Sequence, residues 1–148
     1  MPRFIEALLG NTWFAALARI GLTFEFWWSG VDKLVNFPGG MAEMAHFGLA
    51  PAWLFNAATV LVQLAGSALI IFNRWTWLGA GALALFTALT IPIAHAFWTL
   101  PEPARTGEYY TVLEHVTVIG AFLVVAAASA RQRRAQRTRL GSMRTFDP

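Results

Sequence analysis

The sequence contains no cysteine and few charged residues. Without cysteine, the 148-residue chain has no disulfide, no thiolate metal ligand and no dithiol chemistry of its own. Charged residues make up 13% of the chain, against about 25% in an ordinary soluble domain, whereas hydrophobic residues make up 57%. A soluble domain of this size cannot bury so much apolar surface, because small domains leave much of their surface in water. The composition therefore predicts an integral membrane protein.

Three kinds of sequence pattern are also missing. There is no HExxH or comparable spacing of metal ligands, so we predict no metal site. There is no haem or iron–sulfur motif, so the residues alone fix no cofactor. There is no internal repeat, which argues against a transporter built from inverted repeats.

What the chain does contain is four long apolar segments. Each is close to the ~20 residues that cross a ~30 Å hydrocarbon core as a helix, and continuous apolar runs of this length exclude barrel strands. The fold class is therefore predicted to be an all-α, four-helix transmembrane bundle over residues 1–130, followed by a basic tail over 131–148. A short amphipathic segment is expected between the first two spans. The spans are predicted at residues 13–34, 52–72, 77–98 and 110–130.

The basic residues predict the orientation. Of 11 lysines and arginines, six lie in the last 18 residues, and such an excess marks the cytoplasmic side. Both termini are therefore predicted to be cytoplasmic, and the two longer loops to face outward. We interpret the basic tail as a topology signal that contacts the lipid bilayer. Nucleic acid is not predicted as a partner, because no recognition fold stands behind the basic patch.

This topology gathers ionisable residues in the outer half of the bundle. A charged residue near the bilayer centre costs about 2.5–3.5 kcal/mol on insertion scales. Glu25 lies eight residues before Lys33, or ~12 Å along a helix, and is expected to face the bundle, either protonated or paired. Helix two carries a polar face that should pack against other helices, and Pro92 should kink helix three just before His95. The outer layer comprises Glu25, Asp32, Lys33, His95, Glu114 and His115, and the polar face comprises Asn56, Thr59, Gln63 and Ser67.

The stretch ARIGLTFEFWWSGVDKLVNF, residues 18–37, resembles the opening signature of the DoxX family. That signature has an arginine early in helix one, here Arg19, and a Gly-x-x-Lys-Leu at its end, here with Lys33. FGLAP before helix two, LAGSALIIFNRW and the late His95 are also similar, although Gln63 stands where the family often has a carboxylate. The resemblance implies a four-helix protein of the bacterial inner membrane. Relatives include a subunit of a thiosulfate–quinone oxidoreductase and a membrane component that partners soluble redox proteins.

Two functional hypotheses follow from the resemblance and the polar layer. The leading one is a membrane subunit of a quinone-linked redox system, hence an oxidoreductase subunit, with a polar ligand pocket in the outer half of the bundle and a soluble or membrane redox partner. The alternative is a non-enzymatic scaffold that docks another protein and uses buried polar residues for helix pairing. Whether the protein is catalytic, and whether it forms an oligomer, both stay open. Candidate catalytic residues are Glu25, His95, Glu114 and His115, and candidate quinone-binding residues are Arg19, Glu25, Lys33, Gln63 and His95.

Each candidate also has a structural interpretation. Arg19 and Lys33 can anchor a helix end, since their long side chains reach toward the interface. Glu25 can serve as the structural partner of a basic residue on a neighbouring helix. The two histidines, together with Glu114, can make ordinary hydrogen bonds within the bundle. These interpretations predict residues that stabilise the fold without contacting a ligand.

Overall fold

The chain is helical throughout the part that the structure, a computed structural model, describes, which is residues 1–144. These residues contain no β-strand, and the predicted all-helical membrane bundle is confirmed. The last four residues of the predicted basic tail, 145–148, lie outside the described residues. Within the described range the helices are α1 Arg3–Leu9, α2 Thr12–Leu22, α3 Phe24–Val35, α4 Phe37–His46, α5 Ala52–Ile71, α6 Thr76–Ala94 and α7 Ala104–Arg144, with a 3₁₀ turn at Phe97–Thr99.

Three stretches of the described chain are long and apolar enough to cross a membrane: Ala52–Ile71, Thr76–Thr99 and Ala104–Gln136. The first predicted span, residues 13–34, differs because it is divided into α2 and α3 at Thr23. The buried Thr23 hydroxyl donates to the Arg19 carbonyl at 2.8 Å, and threonines that bond back to the preceding turn bend helices. Helix α2 has 11 residues and α3 has 12. The two helices together therefore have about the length of the one predicted span.

Helices α5 and α6 form a tight antiparallel hairpin. Asn73 and Trp75 in its turn adopt positive φ angles of 54° and 57°, which lets the chain reverse within a few residues. Behind the turn the two backbones approach closely: a Cβ atom added to Gly79 would lie 2.6 Å from the carbonyl oxygen of Gly66. Small residues allow such close packing of membrane helices, so this glycine pair sets the distance between α5 and α6.

The polar face predicted for helix two lies against other helices. Asn56, Gln63 and Ser67 are all buried, and α5 packs against α3, α4 and α6. The Asn56 amide donates to the carbonyl of Phe37 at 3.4 Å, which joins α5 to the start of α4. This helix, α4, occupies the predicted amphipathic segment and buries Met44. The result is a short helix held against the N-terminal part of α5.

An apolar core ties α3 to the two long C-terminal helices. Phe26 of α3 packs edge-on against Phe122 of α7, with ring centroids 5.3 Å apart. Leu83 and Ala84 of α6 and Ile70 of α5 complete the same buried cluster. Backbone packing between α3 and α7 is otherwise sparse, whereas α6 packs along both α5 and α7. The contact between Phe26 and Phe122 therefore joins two helices whose backbones seldom approach each other closely.

Helix α7 is longer than the predicted fourth span at both ends. It begins at Ala104, six residues before the predicted start, and continues without interruption to Arg144. Its 41 residues correspond to about 60 Å at 1.5 Å per residue, roughly twice the thickness of the hydrocarbon core. The early start places Glu108 on the helix rather than in a loop.

Candidate functional site

A cavity of about 470 Å³ lies in the half of the bundle in which α3 and α6 end and α5 and α7 begin. Its walls come from α3, α4, α5, α6 and α7. Most lining side chains are apolar, among them Phe26, Val62 and Phe86. The polar and charged lining residues are Glu25, Ser29, Lys33, Glu43, Thr59, Gln63, Thr87, Thr90, His95, Thr111 and His115.

One group of polar side chains, the lysine cluster, consists of Ser29, Lys33, Glu43 and Gln63. The Lys33 ammonium forms an ion pair with the Glu43 carboxylate at 2.7 Å and donates to the Ser29 hydroxyl at 3.4 Å. The Ser29 hydroxyl also accepts a bond from the Gln63 amide at 3.3 Å. An ammonium group has three N–H donors, so one donor of Lys33 remains for a further acceptor.

The lysine cluster contains a buried acceptor without a partner. Gln63 is 5% exposed, and its Oε1 atom makes no hydrogen bond to the described residues. A buried polar atom left unpaired costs roughly 1–3 kcal/mol, and an unpaired group beside a cavity indicates a ligand or an ordered water. Gln63 and Lys33 therefore form a polar wall with unused hydrogen-bonding capacity.

A second group, the histidine cluster, consists of His95, Glu108 and His115. His95 follows the last residue of α6, where Pro92 removes a backbone donor and favours the end of the helix. Its Nδ1 atom lies 2.7 Å from Oε2 of Glu108, and its ring centroid lies 4.7 Å from that of His115. The early start of α7 thus brings a carboxylate and an imidazole to the end of α6.

The hydrogen bonds of the histidine cluster fix where each ring carries its proton. The Nδ1 atom of His115 lies 2.9 Å from the Thr111 carbonyl oxygen, which can only accept, so Nδ1 carries the hydrogen. The Nδ1 atom of His95 faces a carboxylate and donates in the same way. In the neutral form both rings therefore leave Nε2 as a free acceptor.

The other polar groups of the cavity contribute less to a possible ligand site than the two clusters do. Thr87 and Thr90 donate their hydroxyl hydrogens to carbonyls of their own helix at 2.8 Å. Glu25 lines the cavity but is exposed, and its carboxylate makes no ion pair or hydrogen bond with the described side chains. The expectation that Glu25 faces the bundle, either protonated or paired, stays a prediction; the structure places Glu25 at the cavity wall.

The structure brings together five of the seven residues chosen from the sequence. Lys33, Gln63, His95 and His115 line the cavity, and Glu25 lies at its edge. Two do not line it. Arg19 precedes the break at Thr23 and lies six residues, or about 9 Å at 1.5 Å per residue, before Glu25. Glu114 is exposed on α7, because successive residues on a helix point about 100° apart.

Three residues of the two clusters are not among those predicted from the sequence, namely Ser29, Glu43 and Glu108. Ser29 lies one helical turn before Lys33, and this spacing can be recognised in the sequence. Glu43 and Glu108 were assigned to connections, and only the bounds of α4 and α7 place them beside Lys33 and His95. Among the described residues no group of three or more His, Cys, Asp or Glu side chains could hold a metal ion.

Comparison with known proteins decides the family. The DoxX family model matches residues 14–96, more than half of the chain. The chain belongs to the DoxX family. The matched region includes the lysine cluster and His95, whereas Glu108 and His115 lie beyond it. This DoxX protein is also 26% identical over 110 residues to inner membrane protein YphA of Escherichia coli strain K12, covering 74% of this chain and 79% of YphA.

No solved structure matches the chain. The family, the relative and the apolar helices together make this DoxX protein a multi-pass protein of the inner membrane, in contact with the lipid bilayer. The resemblance noted from the opening signature is thereby confirmed.

Proposed function

We propose that this DoxX protein is a membrane subunit of a quinone-linked redox system and that its cavity binds a lipid-soluble quinone. The observation that supports this proposal is one apolar cavity with hydrogen-bonding groups from different helices. The lysine cluster belongs to α3, α4 and α5, and the histidine cluster belongs to α6 and α7. No described hydrogen bond joins the two clusters, so each is available to one end of a ring ligand.

The residues present fit a quinone. One ring oxygen can accept from the free N–H of Lys33, and at the other end a hydroxyl of the reduced ring can donate to Nε2 of a histidine. Phe26 and Phe86 supply apolar walls for the ring, and the volume lies within the roughly 300–1,000 Å³ of typical ligand pockets. A quinone would supply the two-electron, two-proton chemistry that a chain without cysteine cannot perform.

We further propose that both termini are cytoplasmic and that the cavity lies in the outer half of the membrane. The arginines of the last 18 residues support this orientation. Electrons would then be exchanged with a redox partner, soluble or membrane-bound, since none of the described residues binds a metal centre.

A binding experiment tests the proposal. The full chain is purified in detergent, its lipids are extracted for quinone analysis, and the delipidated protein is titrated with menadione. Lys33→Met should weaken menadione binding about tenfold or more. A hydrogen bond to a charged group contributes about 1.5–3 kcal/mol, and 1.4 kcal/mol is tenfold in affinity. Gln132→Leu, on the exposed face of α7, is the matched control and should bind as the wild type does.

Two results would contradict the redox proposal. One is the absence of both co-purified quinone and menadione binding. The other is equal binding by the wild type and the Lys33→Met variant. If the first result came with undiminished association of a co-purifying protein in the Lys33→Met variant, the scaffold alternative would be favoured instead.

A further inference from the structure

We propose that His95 and Glu108 form a proton-accepting pair for the cavity. In this pair Nε2 of His95 takes a hydroxyl proton from the bound ligand, while Glu108 positions the ring and balances its charge. The inference rests on the proposed function in one respect, namely that the ligand in its reduced form carries a phenolic hydroxyl.

The geometry of the pair carries the inference. The Glu108 carboxylate lies 2.7 Å from Nδ1 of His95, and the two side chains are 35% and 25% exposed. A carboxylate at this distance holds an imidazole in the tautomer whose Nε2 is unprotonated, and stabilises the imidazolium once Nε2 gains a proton. His95 lines the cavity whereas Glu108 does not. The ring therefore lies between the ligand space and the carboxylate.

His115 has a different role in the same cluster. Its Nδ1 hydrogen is donated to the Thr111 carbonyl, and a carbonyl cannot balance a positive charge as a carboxylate does. Its Nε2 is a neutral acceptor that can orient the ligand hydroxyl. Two imidazoles in contact at 4.7 Å would repel if both were charged. The proton therefore goes to the ring that has the carboxylate.

The proton transfer is balanced without a co-reactant. The O–H bond of the ligand breaks, its electron pair stays on the ligand oxygen, and an Nε2–H bond forms on His95. The imidazolium is paired with Glu108, and the proton passes to water when the ligand leaves. The other titratable or charged side chains lining the cavity are His115 from α7, Glu25 and Lys33 from α3, and Glu43 from α4. The Lys33 ammonium favours the phenolate, and the carboxylates oppose it.

The test uses 4-nitrophenol, a ring ligand whose hydroxyl ionises near neutral pH and whose anion is yellow. Full-length protein in nanodiscs is loaded with the probe just below the pH at which the free probe ionises. Bound probe is counted by gel filtration, and its ionised fraction is read from the absorbance. In the wild type the bound probe should be mostly ionised. In Glu108→Gln the ratio of ionised to protonated bound probe should fall about tenfold, with a similar amount bound.

Two matched variants isolate the charge of Glu108. Glu102→Gln removes a carboxylate that contacts Thr106 instead of a histidine and should leave the ionised fraction unchanged. Glu108→Asp keeps the charge and should restore most of the ionised fraction. An ionised fraction equal in the wild type and Glu108→Gln would overturn the inference while leaving the binding proposal intact. Failure of the wild type to bind both nitrophenol and menadione would overturn both.

Discussion

The glycine contact between α5 and α6 gives a prediction whose size can be worked from the structure. A Cβ atom on Gly79 would lie 2.6 Å from the backbone oxygen of Gly66 and 2.9 Å from Cβ of Leu69, whereas ordinary contacts begin at 3.4 Å. In Gly79→Ala the two backbones must separate by about 0.8 Å, since a carbonyl oxygen cannot rotate away as a side chain can. Overpacking of this kind costs about 1–3 kcal/mol.

Gly81, two residues along the same helix, is the matched control. A Cβ atom added there meets nothing within 4 Å. Replacing glycine by alanine favours a helix by up to about 1 kcal/mol at either position, so this contribution cancels when the two variants are compared. Gly79→Ala should therefore be about 1–3 kcal/mol less stable than Gly81→Ala, measured by reversible unfolding in mixed micelles containing increasing SDS. Stabilities within about 0.5 kcal/mol of each other would refute the idea that this contact sets the helix spacing.

Three further predictions concern α4, the lysine cluster and the orientation. Gly40→Ala should lower stability by about 1–3 kcal/mol in the same SDS assay, because the new methyl group would overlap the buried Asn56 amide. Glu43→Gln should speed labelling of Lys33, the only lysine, by an amine-reactive ester about 1.5- to 5-fold, because the 2.7 Å ion pair is lost. A periplasm-active phosphatase fused after Pro148 should be inactive, because the arginine-rich end is predicted to be cytoplasmic.

Each of these predictions has its own control. Gly21→Ala, where nothing lies within 4 Å of the added atom, should not lose stability as Gly40→Ala does. The N-terminal amine of Met1 reports the labelling rate of an unpaired group in the same molecule. Equal labelling of Lys33 in the wild type and the Glu43→Gln variant would show that the ion pair does not protect it. High phosphatase activity at the C-terminus would reverse the proposed orientation.

The helical membrane fold was predictable because it depends on composition and length. Apolar runs of about 20 residues have few alternatives in lipid, and the spacing of Asn56, Gln63 and Ser67 indicated the inner face of α5. The division of the first span was not predictable in the same way. A single threonine that bonds to its own helix looks like any other polar residue in an apolar run.

The candidate site was predictable only in part, because contact across helices depends on where each helix begins. Lys33, Gln63 and His95 were found from topology and helical phase. Glu108 was assigned to a loop after the prolines at 101 and 103, whereas α7 starts at Ala104 and places Glu108 beside His95. The periodicity of one segment carries no information about the distance between two residues that lie on different helices.

The unbroken length of α7 has a mechanical consequence. His115 lines the cavity and lies on the same continuous helix as the arginines of the opposite end. The buried Phe122 lies between them. From Phe122 to Arg144 is 22 residues, or about 33 Å at 1.5 Å per residue. If α7 tilts by about 5° about Phe122, its C-terminal end moves by about 3 Å over that length. A tilt of α7 that moves His115 would therefore displace any molecule that contacts the arginines at the far end of the helix.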